Sequence, residues 1–230
     1  MATSTSAQNT AQRLTLVTLV ILALGFVGFL VYRQVSPQET VAVDASDELD
    51  LAGQPMLGDE NAPVAIAVFE DFKCPACQFF DAEVMPQLER DLIDTGQVRF
   101  YFVNYPFIGP DSTTAAVAGE CLYEQDPAAF FEYKTLLFRS QGPESEAWAT
   151  PAFLADVARD NLPDIDANAL QSCTEAETYT EQVAADREMG DAAGVQGTPA
   201  VFVNGELQES FQFADIESAV QAAAEAAPEN

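Results

Sequence analysis

Histidine is absent from this chain of 230 residues, and basic residues are scarce. Without an imidazole the chain cannot build a histidine-containing zinc site, a Ser-His-Asp or Cys-His hydrolase site, or any step with an imidazole base. Its nine lysines and arginines, of which only Lys73 and Lys134 are lysines, face 37 aspartates and glutamates, so the formal net charge is −28 at pH 7. Such a surface repels nucleic acid and anionic membrane surfaces, so neither is an expected partner.

Charge is also missing from residues 14–32, a run of 19 residues rich in leucine, valine, isoleucine and phenylalanine. At about 1.5 Å per residue, a helix of this length crosses the roughly 30 Å hydrocarbon core of a bilayer. We therefore predict a single transmembrane signal-anchor at residues 14–32. A cleaved signal peptide is the alternative, although its apolar region is usually shorter. Arg13 precedes the run and only Arg33 directly follows it, which favours a cytoplasmic location for residues 1–13.

The chain after the apolar run divides into a linker and one larger domain. Residues 33–55 show little periodicity and are predicted to be a linker, which leaves residues 56–230 as the domain. Its element order is that of a thioredoxin-like α/β fold with an inserted helical subdomain at about residues 111–191. The predicted elements are strands at 64–69, 98–105 and 200–203, a helix that opens at Pro75 and kinks at Pro86, a hairpin turn at Asn204-Gly205, and a last helix at about 213–226.

The segment Cys74-Pro75-Ala76-Cys77 directly follows the first long strand and opens a helix. A cysteine before the first helical residue lies near unpaired backbone N–H groups and the positive end of the helix dipole, which favour the thiolate. We predict that Cys74 is the attacking nucleophile and that Cys77, one turn further on, resolves the mixed disulfide. Lys73 would favour the thiolate further if its ammonium stays close.

A single Cys-x-x-Cys pair is also half of a four-cysteine zinc site. The second half would need another close pair, but Cys121 and Cys173 are 52 residues apart, so we expect no metal. Haem attachment would require histidine at position 78, which is Gln78. Redox chemistry is the remaining interpretation.

Thr198-Pro199 lies directly before a predicted strand. A cis proline there would leave the backbone groups of Thr198 free to pair with an extended substrate chain beside the sulfur atoms. A proline that merely ends a loop is the alternative.

Three segments together resemble the DsbA family of thioredoxin-fold disulfide oxidoreductases, and the resemblance runs from about residue 55 to the C-terminus. They are Leu-Gly-Asp-Glu-Asn-Ala-Pro at 57–63, Phe-Glu-Asp-Phe-Lys-Cys-Pro-Ala-Cys at 69–77, and Gly-Val-Gln-Gly-Thr-Pro-Ala-Val-Phe-Val-Asn-Gly at 194–205. The resemblance implies that Cys74 attacks, Cys77 resolves and Pro199 is cis opposite them. It also implies an oxidant that donates its disulfide to newly exported, reduced proteins and is recharged by a quinone-linked membrane partner of DsbB or VKOR type. We expect the domain to act outside the cytoplasm as a monomer, with the Cys74–Cys77 disulfide as its redox group and no further cofactor.

The chain departs from the family pattern at two positions. Many members carry an acidic residue six positions before the first cysteine, where this chain has Val68, so either Glu70 or Asp71, or water, must move the proton of Cys77. Ala76 adds neither a donor nor a charge to the dithiol. We therefore expect a milder oxidant than members with histidine at that position, and a Cys74 pKa near 3.5 would contradict this.

Cys121 and Cys173 both fall in the predicted insert. Outside the cytosol two such thiols are more often bridged than free, and some actinobacterial and Gram-positive relatives carry a second, structural disulfide in the insert. Two buried free cysteines are the alternative. Two functional alternatives also stay open, namely a disulfide reductase or isomerase that uses the same site, and a peptide-binding or chaperone module in which the dithiol is secondary.

Overall fold

In a computed structural model of the chain, the structure describes residues 49–226, and the predicted membrane span at 14–32 lies outside them. A five-stranded sheet of order β1-β3-β2-β4-β5 forms the centre of the described part. Among the helices within residues 49–226, none is both long and apolar enough to cross a bilayer. The strands are β1 (Met56–Leu57), β2 (Val64–Glu70), β3 (Val98–Asn104), β4 (Ala200–Val203) and β5 (Glu206–Leu207).

The central strand β2 is buried on both faces, as its continuous apolar sequence predicts. It pairs in parallel with β3, with Glu70 opposite Asn104 at the shared carboxyl end, and antiparallel with β4. Because β2 has neighbours on both sides, its last residue, Glu70, lies inside the protein rather than at an exposed edge. The loops that follow β2 and β3 therefore meet at one end of the sheet.

The helix after β2 begins at Pro75 but is not uniform. A short α-helical stretch, α1 (Pro75–Phe79), passes into a π-helical turn at Phe80–Val84, then into α2 (Met85–Leu88) and a second π-helical turn at Glu89–Ile93. Pro86 lies in the first turn of α2, where its missing N–H removes a backbone donor. The wider π-helical turn just before it fits the irregularity that the sequence predicts at Pro86.

The helical insert between β3 and β4 extends from Pro110 to Ala192, close to the predicted range of 111–191. Two proline-initiated segments begin as the sequence indicates: Thr150 accepts a hydrogen bond from the Phe153 N–H, and Asp126 accepts one from the Ala128 N–H. Asp126 caps a 3₁₀ turn at Pro127–Ala129 rather than the α-helix itself. The insert consists of α3 (Pro110–Gln125), α4 (Phe130–Arg139), α5 (Pro151–Asn161), α6 (Ala167–Glu175) and α7 (Thr180–Ala192).

The chain returns to the sheet through a cis Thr198-Pro199 bond that leads directly into β4. The turn from β4 to β5 has positive φ angles at Asn204 (46°) and Gly205 (83°), the geometry that makes Asn-Gly a strong hairpin signal. The last helix, α8 (Phe213–Ala226), packs against the sheet through Ile216 and Val220.

Apolar side chains cover both faces of the sheet. The larger cluster joins β2, β3, the helix after Cys74 and the insert, and it contains Phe72, Phe102 and Phe130. The insert is also held by a disulfide between Cys121 on α3 and Cys173 on α6. The helical subdomain is thus packed directly against the carboxyl end of β2, where the dithiol lies.

Candidate active site

Cys74 lies at the N-cap of α1, with extended backbone angles (φ −77°, ψ 120°), and Pro75 provides the first helical residue. Pro75 suits this position because the N–H that it lacks would have no helical partner there. The Cys74 side of the pair is nearer the surface, since Cys74 is 7% exposed and Cys77 is 0% exposed. Both thiols are free in this structure. A partner sulfur can therefore approach Cys74 more easily than Cys77.

The Cys74 thiol faces the cis-proline segment, with its Sγ 3.3 Å from the Thr198 carbonyl oxygen. A hydrogen bond with the Cys77 thiol is the largest influence on Cys74 and lowers its pKa to about 6. Thr198 and the backbone N–H groups of Cys77 and Ala76 lower the pKa of Cys74 further, whereas burial opposes them. Cys74 is thus largely a thiolate at neutral pH.

Thr198 presents two different groups to this thiol. A carbonyl oxygen can only accept a hydrogen bond, so the Thr198 carbonyl stabilises the protonated thiol rather than the thiolate. The Thr198 hydroxyl is buried and has no hydrogen-bond partner within the described residues. The side chain of Thr198, rather than its carbonyl group, is the part that lowers the pKa of Cys74.

Cys77 has the opposite character. Burial raises the pKa of Cys77 well above its ordinary value, and the hydrogen bond to Cys74 and the nearby Glu70 carboxylate add to the shift. The two cysteines therefore differ strongly in acidity, although they are three residues apart. Cys77 has to receive a proton whenever the Cys74–Cys77 bond is opened.

Glu70 lies beneath the dithiol at the end of β2 and is fully buried. Burial raises the pKa of Glu70 to about 7, although the ammonium of Lys134, 3.4 Å from its carboxylate, lowers it. The carboxylate oxygens make no hydrogen bond within the described residues. Glu70 can therefore hold or release a proton near neutral pH, and it is close enough to Cys77 to raise the pKa of that thiol.

Lys134 extends from α4 into the space beneath the dithiol. Its ammonium lies 2.6 Å from Asp81 and 5.1 Å from the centre of the Phe138 ring, and both Lys134 and Asp81 are buried. The nearby carboxylates of Glu70 and Asp81 raise the pKa of Lys134 even though burial lowers it. Sequence reasoning missed Lys134 and Asp81; the only signal was that Lys134 is one of two lysines and stands among apolar residues.

Asp71, the other acid considered for proton transfer, is already occupied by backbone donors. It accepts hydrogen bonds from the N–H groups of Lys73, Phe107 and Ile108 at 2.8, 2.9 and 3.1 Å. Three such bonds occupy the oxygens of this carboxylate, and it makes no described contact with Cys77. Asp71 instead fastens the loop after β2 to the loop after β3.

Lys73 directs its ammonium away from the thiol. Its Nζ lies 2.7 Å from the Asp111 carboxylate and 2.9 Å from the Glu146 carbonyl oxygen. Lys73 is not among the five largest influences on the pKa of Cys74. Lys73 therefore ties residues 71–78, the redox loop, to the insert. Its expected direct effect on the thiolate is absent from the described contacts.

Two large aromatic side chains, one on α1 and one in the loop after β3, are exposed. Phe79 on α1 is 47% exposed and packs edge-on against Phe211, and Phe107 in the loop after β3 is 45% exposed. Within residues 49–226, no group of three or more cysteine, aspartate or glutamate side chains is arranged to hold a metal ion. The chemistry that this arrangement offers is thiol–disulfide exchange.

Comparison with known proteins agrees with this chemistry. A family model described as thioredoxin matches residues 50–222. A probable disulfide bond formation protein D from Bacillus anthracis is 36% identical over 188 residues, which cover 81% of this chain and 85% of that protein. The chain belongs to the DsbA family of protein disulfide oxidoreductases.

Solved structures of other members have the same fold as this DsbA-family chain. Oxidised BdbD from Bacillus subtilis superposes with a TM-score of 0.74 at 32% identity, covering 77% of this chain and 96% of that one. DsbA from Chlamydia trachomatis gives a TM-score of 0.70 at 31% identity, covering 76% of this chain and 93% of that one. The thioredoxin-like fold with a helical insert and the disulfide oxidoreductase activity, both predicted from the sequence, are confirmed.

Proposed function

We propose that this protein is a membrane-anchored oxidase that works outside the cytoplasm and introduces disulfide bonds into exported proteins through Cys74 and Cys77. The observation that carries the proposal is the difference in acidity between the two thiols, with the pKa of Cys74 lowered to about 6 and that of Cys77 raised. A stabilised Cys74 thiolate favours the reduced form of the pair, and a disulfide whose reduced form is stabilised is a good oxidant.

The proposed cycle begins with the Cys74–Cys77 disulfide. A substrate thiolate attacks Cys74 Sγ, forms a mixed disulfide and expels Cys77 as a thiolate, which takes up one proton. A second substrate thiolate then attacks the substrate sulfur of the mixed disulfide, so that the substrate disulfide forms and Cys74 leaves as a thiolate. Two electrons pass from the substrate to the Cys74–Cys77 pair, and no further cofactor is needed.

Glu70 is the proposed proton carrier for Cys77. Its buried carboxyl with a pKa of about 7 is protonated in about half of the molecules at neutral pH, so it can protonate the leaving thiolate and later accept the proton back. Asp71 is the weaker candidate, because its oxygens already accept three backbone N–H bonds.

The proposed substrates are reduced proteins presented as extended chains. The Thr198-Pro199 segment lies against Cys74, and an extended chain could pair with the Thr198 backbone there. The exposed aromatic side chains of Phe79 and Phe107 are proposed to offer apolar contacts to such a chain. Unfolded proteins expose apolar side chains, so this surface suits them better than folded partners.

Export and recharging complete the proposal. Residues 1–13 are proposed to stay in the cytoplasm, residues 14–32 to anchor the chain and residues 33–48 to act as a tether for the catalytic domain. The predicted linker end at residue 55 is too late, because Gln54 is buried and donates to Asp186 at 2.6 Å and so belongs to the domain. A quinone-linked membrane protein of DsbB or VKOR type would reoxidise the Cys74–Cys77 pair. The domain is proposed to act as a monomer that binds no metal.

Activity is tested with the purified full chain. The oxidised protein should restore activity to a reduced, unfolded ribonuclease with stoichiometric loss of its own disulfide, whereas Cys74→Ser should not. Given scrambled, disulfide-containing ribonuclease instead, Cys77→Ser should accumulate a mixed disulfide on a non-reducing gel, because its Cys74 thiolate attacks a substrate disulfide and no Cys77 thiol remains to resolve the product. If Cys74→Ser still assists refolding at the wild-type rate, the peptide-binding interpretation replaces the oxidase.

The direction of the reaction is tested in intact cells. Acid quenching followed by alkylation should find Cys74 and Cys77 mainly oxidised in the steady state. A mainly reduced pair would instead assign the protein to disulfide reduction or isomerisation.

A further inference from the structure

Two glutamine side chains link the redox loop to the helical insert, one from each segment. Gln141, in the loop after α4, donates its amide hydrogens to the backbone carbonyl oxygens of Phe72 and Cys74, at 2.8 and 3.1 Å. In the other direction Gln78, on α1, donates to the Phe138 carbonyl oxygen at 2.6 Å. The two elements therefore hold each other through side-chain amides that contact only backbone.

We infer that Gln141 is a positioning residue that holds the Cys74 peptide so that its thiolate meets the N–H groups at the start of α1. This role depends on Cys74 being the attacking thiol, which rests on the function proposed above. Gln141 itself touches neither sulfur in the described contacts, so it acts on the chemistry only through the backbone of the redox loop.

The sequence Cys74-Pro75 explains why this peptide unit needs an external donor. Proline has no backbone N–H, so the peptide between the two residues can be held by hydrogen bonds only at the Cys74 carbonyl oxygen. That oxygen accepts one bond from the Gln78 N–H inside the helix, at 3.1 Å, and the second from Gln141. Removing Gln141 therefore removes one of the two bonds that fix this peptide plane.

The second amide hydrogen of Gln141 holds the peptide two residues earlier. The Phe72 carbonyl accepts it, while the N–H of the same peptide, from Lys73, donates to Asp71 at 2.8 Å. The side-chain amide of Gln141 thus binds the peptide groups on both sides of the Lys73–Cys74 peptide. Its orientation follows from chemistry, since a reversed amide would place its oxygen against two carbonyl oxygens.

Fixing these peptides matters for the thiolate. The backbone N–H groups of Cys77 and Ala76 lower the pKa of Cys74 only while Cys74 keeps the extended N-cap conformation that aims its sulfur at them. A rotated Cys74 peptide would move the sulfur away from those donors. Loss of Gln141 should then raise the pKa of Cys74 and make the disulfide a weaker oxidant.

The test replaces Gln141 with methionine, which keeps the length of the side chain and removes both donors. In the full chain, Gln141→Met should shift the thiol–thiolate equilibrium of Cys74 about three- to tenfold toward the thiol, the scale of one hydrogen bond. Thiolate absorbance against pH measures this, and the equilibrium with glutathione should move in the same sense. The matched control is Gln125→Met, since Gln125 is also in the insert and its amide bonds only to the backbone of Asp166.

A purely structural role would give a different result. Gln141→Met would then lose stability to denaturant while the pKa of Cys74 and the glutathione equilibrium stayed at the control values, and the inference would be wrong. If Gln141→Met does not fold, Gln141→Glu replaces it. Its carboxylate would face two carbonyl oxygens beside Cys74, so an unchanged Cys74 pKa in that variant would equally overturn the inference.

The failures of the two proposals can be told apart. An ordinary cysteine pKa for Cys74 in the wild-type chain would count against the proposed oxidase. A lowered wild-type pKa that persists in Gln141→Met would count against the role of Gln141 alone.

Discussion

Glu70 and Lys134 face each other inside the protein, with the carboxylate 3.4 Å from the ammonium and both side chains fully buried. The same ammonium lies 2.6 Å from Asp81, so one cation serves two carboxylates. Burial outweighs the attraction of Lys134 and raises the pKa of Glu70 to about 7. A proton can therefore be stored and released beneath the dithiol near neutral pH.

Replacing Glu70 with glutamine should slow opening of the Cys74–Cys77 disulfide at least about tenfold, the lower range for loss of a general acid. In the wild type the rate per attacking thiolate should fall as the pH rises through about 7, because Glu70 then loses the proton that Cys77 needs. Stopped-flow reduction by dithiothreitol measures this. An identical pH profile in Glu70→Gln would exclude Glu70 as the proton carrier.

Glu70 should also make stability depend on pH. Its pKa rises from 4.5 in the unfolded chain to about 7 in the folded protein, so the folded state binds the proton more tightly. The corresponding stability is fully present below about pH 4.5 and is lost as the pH rises through 7, an effect on the order of 3 kcal/mol.

Urea unfolding of the wild type and Glu70→Gln at several pH values measures the effect. The difference between the two free energies of unfolding should change between pH 4.5 and 7 and level off above. Glu120, whose pKa burial also raises to about 7, is present in both proteins and cancels from the difference. A difference independent of pH would contradict the prediction.

Lys134→Met should destabilise the fold by about 3–5 kcal/mol at pH 8, because it leaves two buried carboxylates without their cation. The loss should shrink as the pH falls and the Glu70 carboxylate becomes protonated. Guanidinium unfolding measures it. Adding Glu70→Gln to Lys134→Met should recover part of the loss, and no recovery in the double variant would argue against the pairing of Glu70 with Lys134.

Thr198→Val removes the hydroxyl that can donate to the Cys74 thiolate and keeps the shape of the side chain. The thiol–thiolate equilibrium of Cys74 should shift about three- to tenfold toward the thiol, the scale of one hydrogen bond. Ultraviolet titration of the thiolate checks this. Thr114→Val is the control, because Thr114 lies on α3 at the start of the insert and Thr198 follows its end. Cys74 should titrate in this variant as it does in the wild type.

Removing the second disulfide with Cys121→Ser and Cys173→Ser should cost up to about 4 kcal/mol of stability, the chain-entropy value for a bridge across 52 residues. The refolding activity of the Cys74–Cys77 pair should remain, since the two disulfides share no residue. Denaturant unfolding and the ribonuclease assay measure the two effects separately. Loss of redox activity without loss of stability would contradict this division.

Most of the fold could be predicted because its signals are local. A few neighbouring residues are enough to predict the strand β2 from its apolar run, the start of α5 from Thr150-Pro151, and the hairpin turn from Asn204-Gly205. The mixture of α- and π-helical turns after Cys74 was only partly predictable. Pro86 indicates an irregularity, but the residues at which the π-helical turns begin and end came only from the structure.

In the candidate site, too, the residues in local motifs could be predicted and those brought in from distant parts of the chain could not. The positions of Cys74, Cys77 and Thr198 follow from short motifs. Lys134 instead contacts Glu70, and Gln141 contacts the Cys74 backbone, from the insert more than 60 residues further along the chain. Spacing alone carries no information about such contacts. The choice between Glu70 and Asp71 also needed the structure, because only the hydrogen bonds of Asp71 show that its carboxylate is occupied.

The bridge between α3 and α6 has a consequence for how the protein matures. A newly made copy carries four thiols. Forming the Cys121–Cys173 bond is an oxidation, so it needs an acceptor for two electrons as well as folding. An older copy with an oxidised Cys74–Cys77 pair is one such acceptor. Under the proposed oxidase function, each molecule is a substrate of disulfide formation before it becomes a catalyst of it.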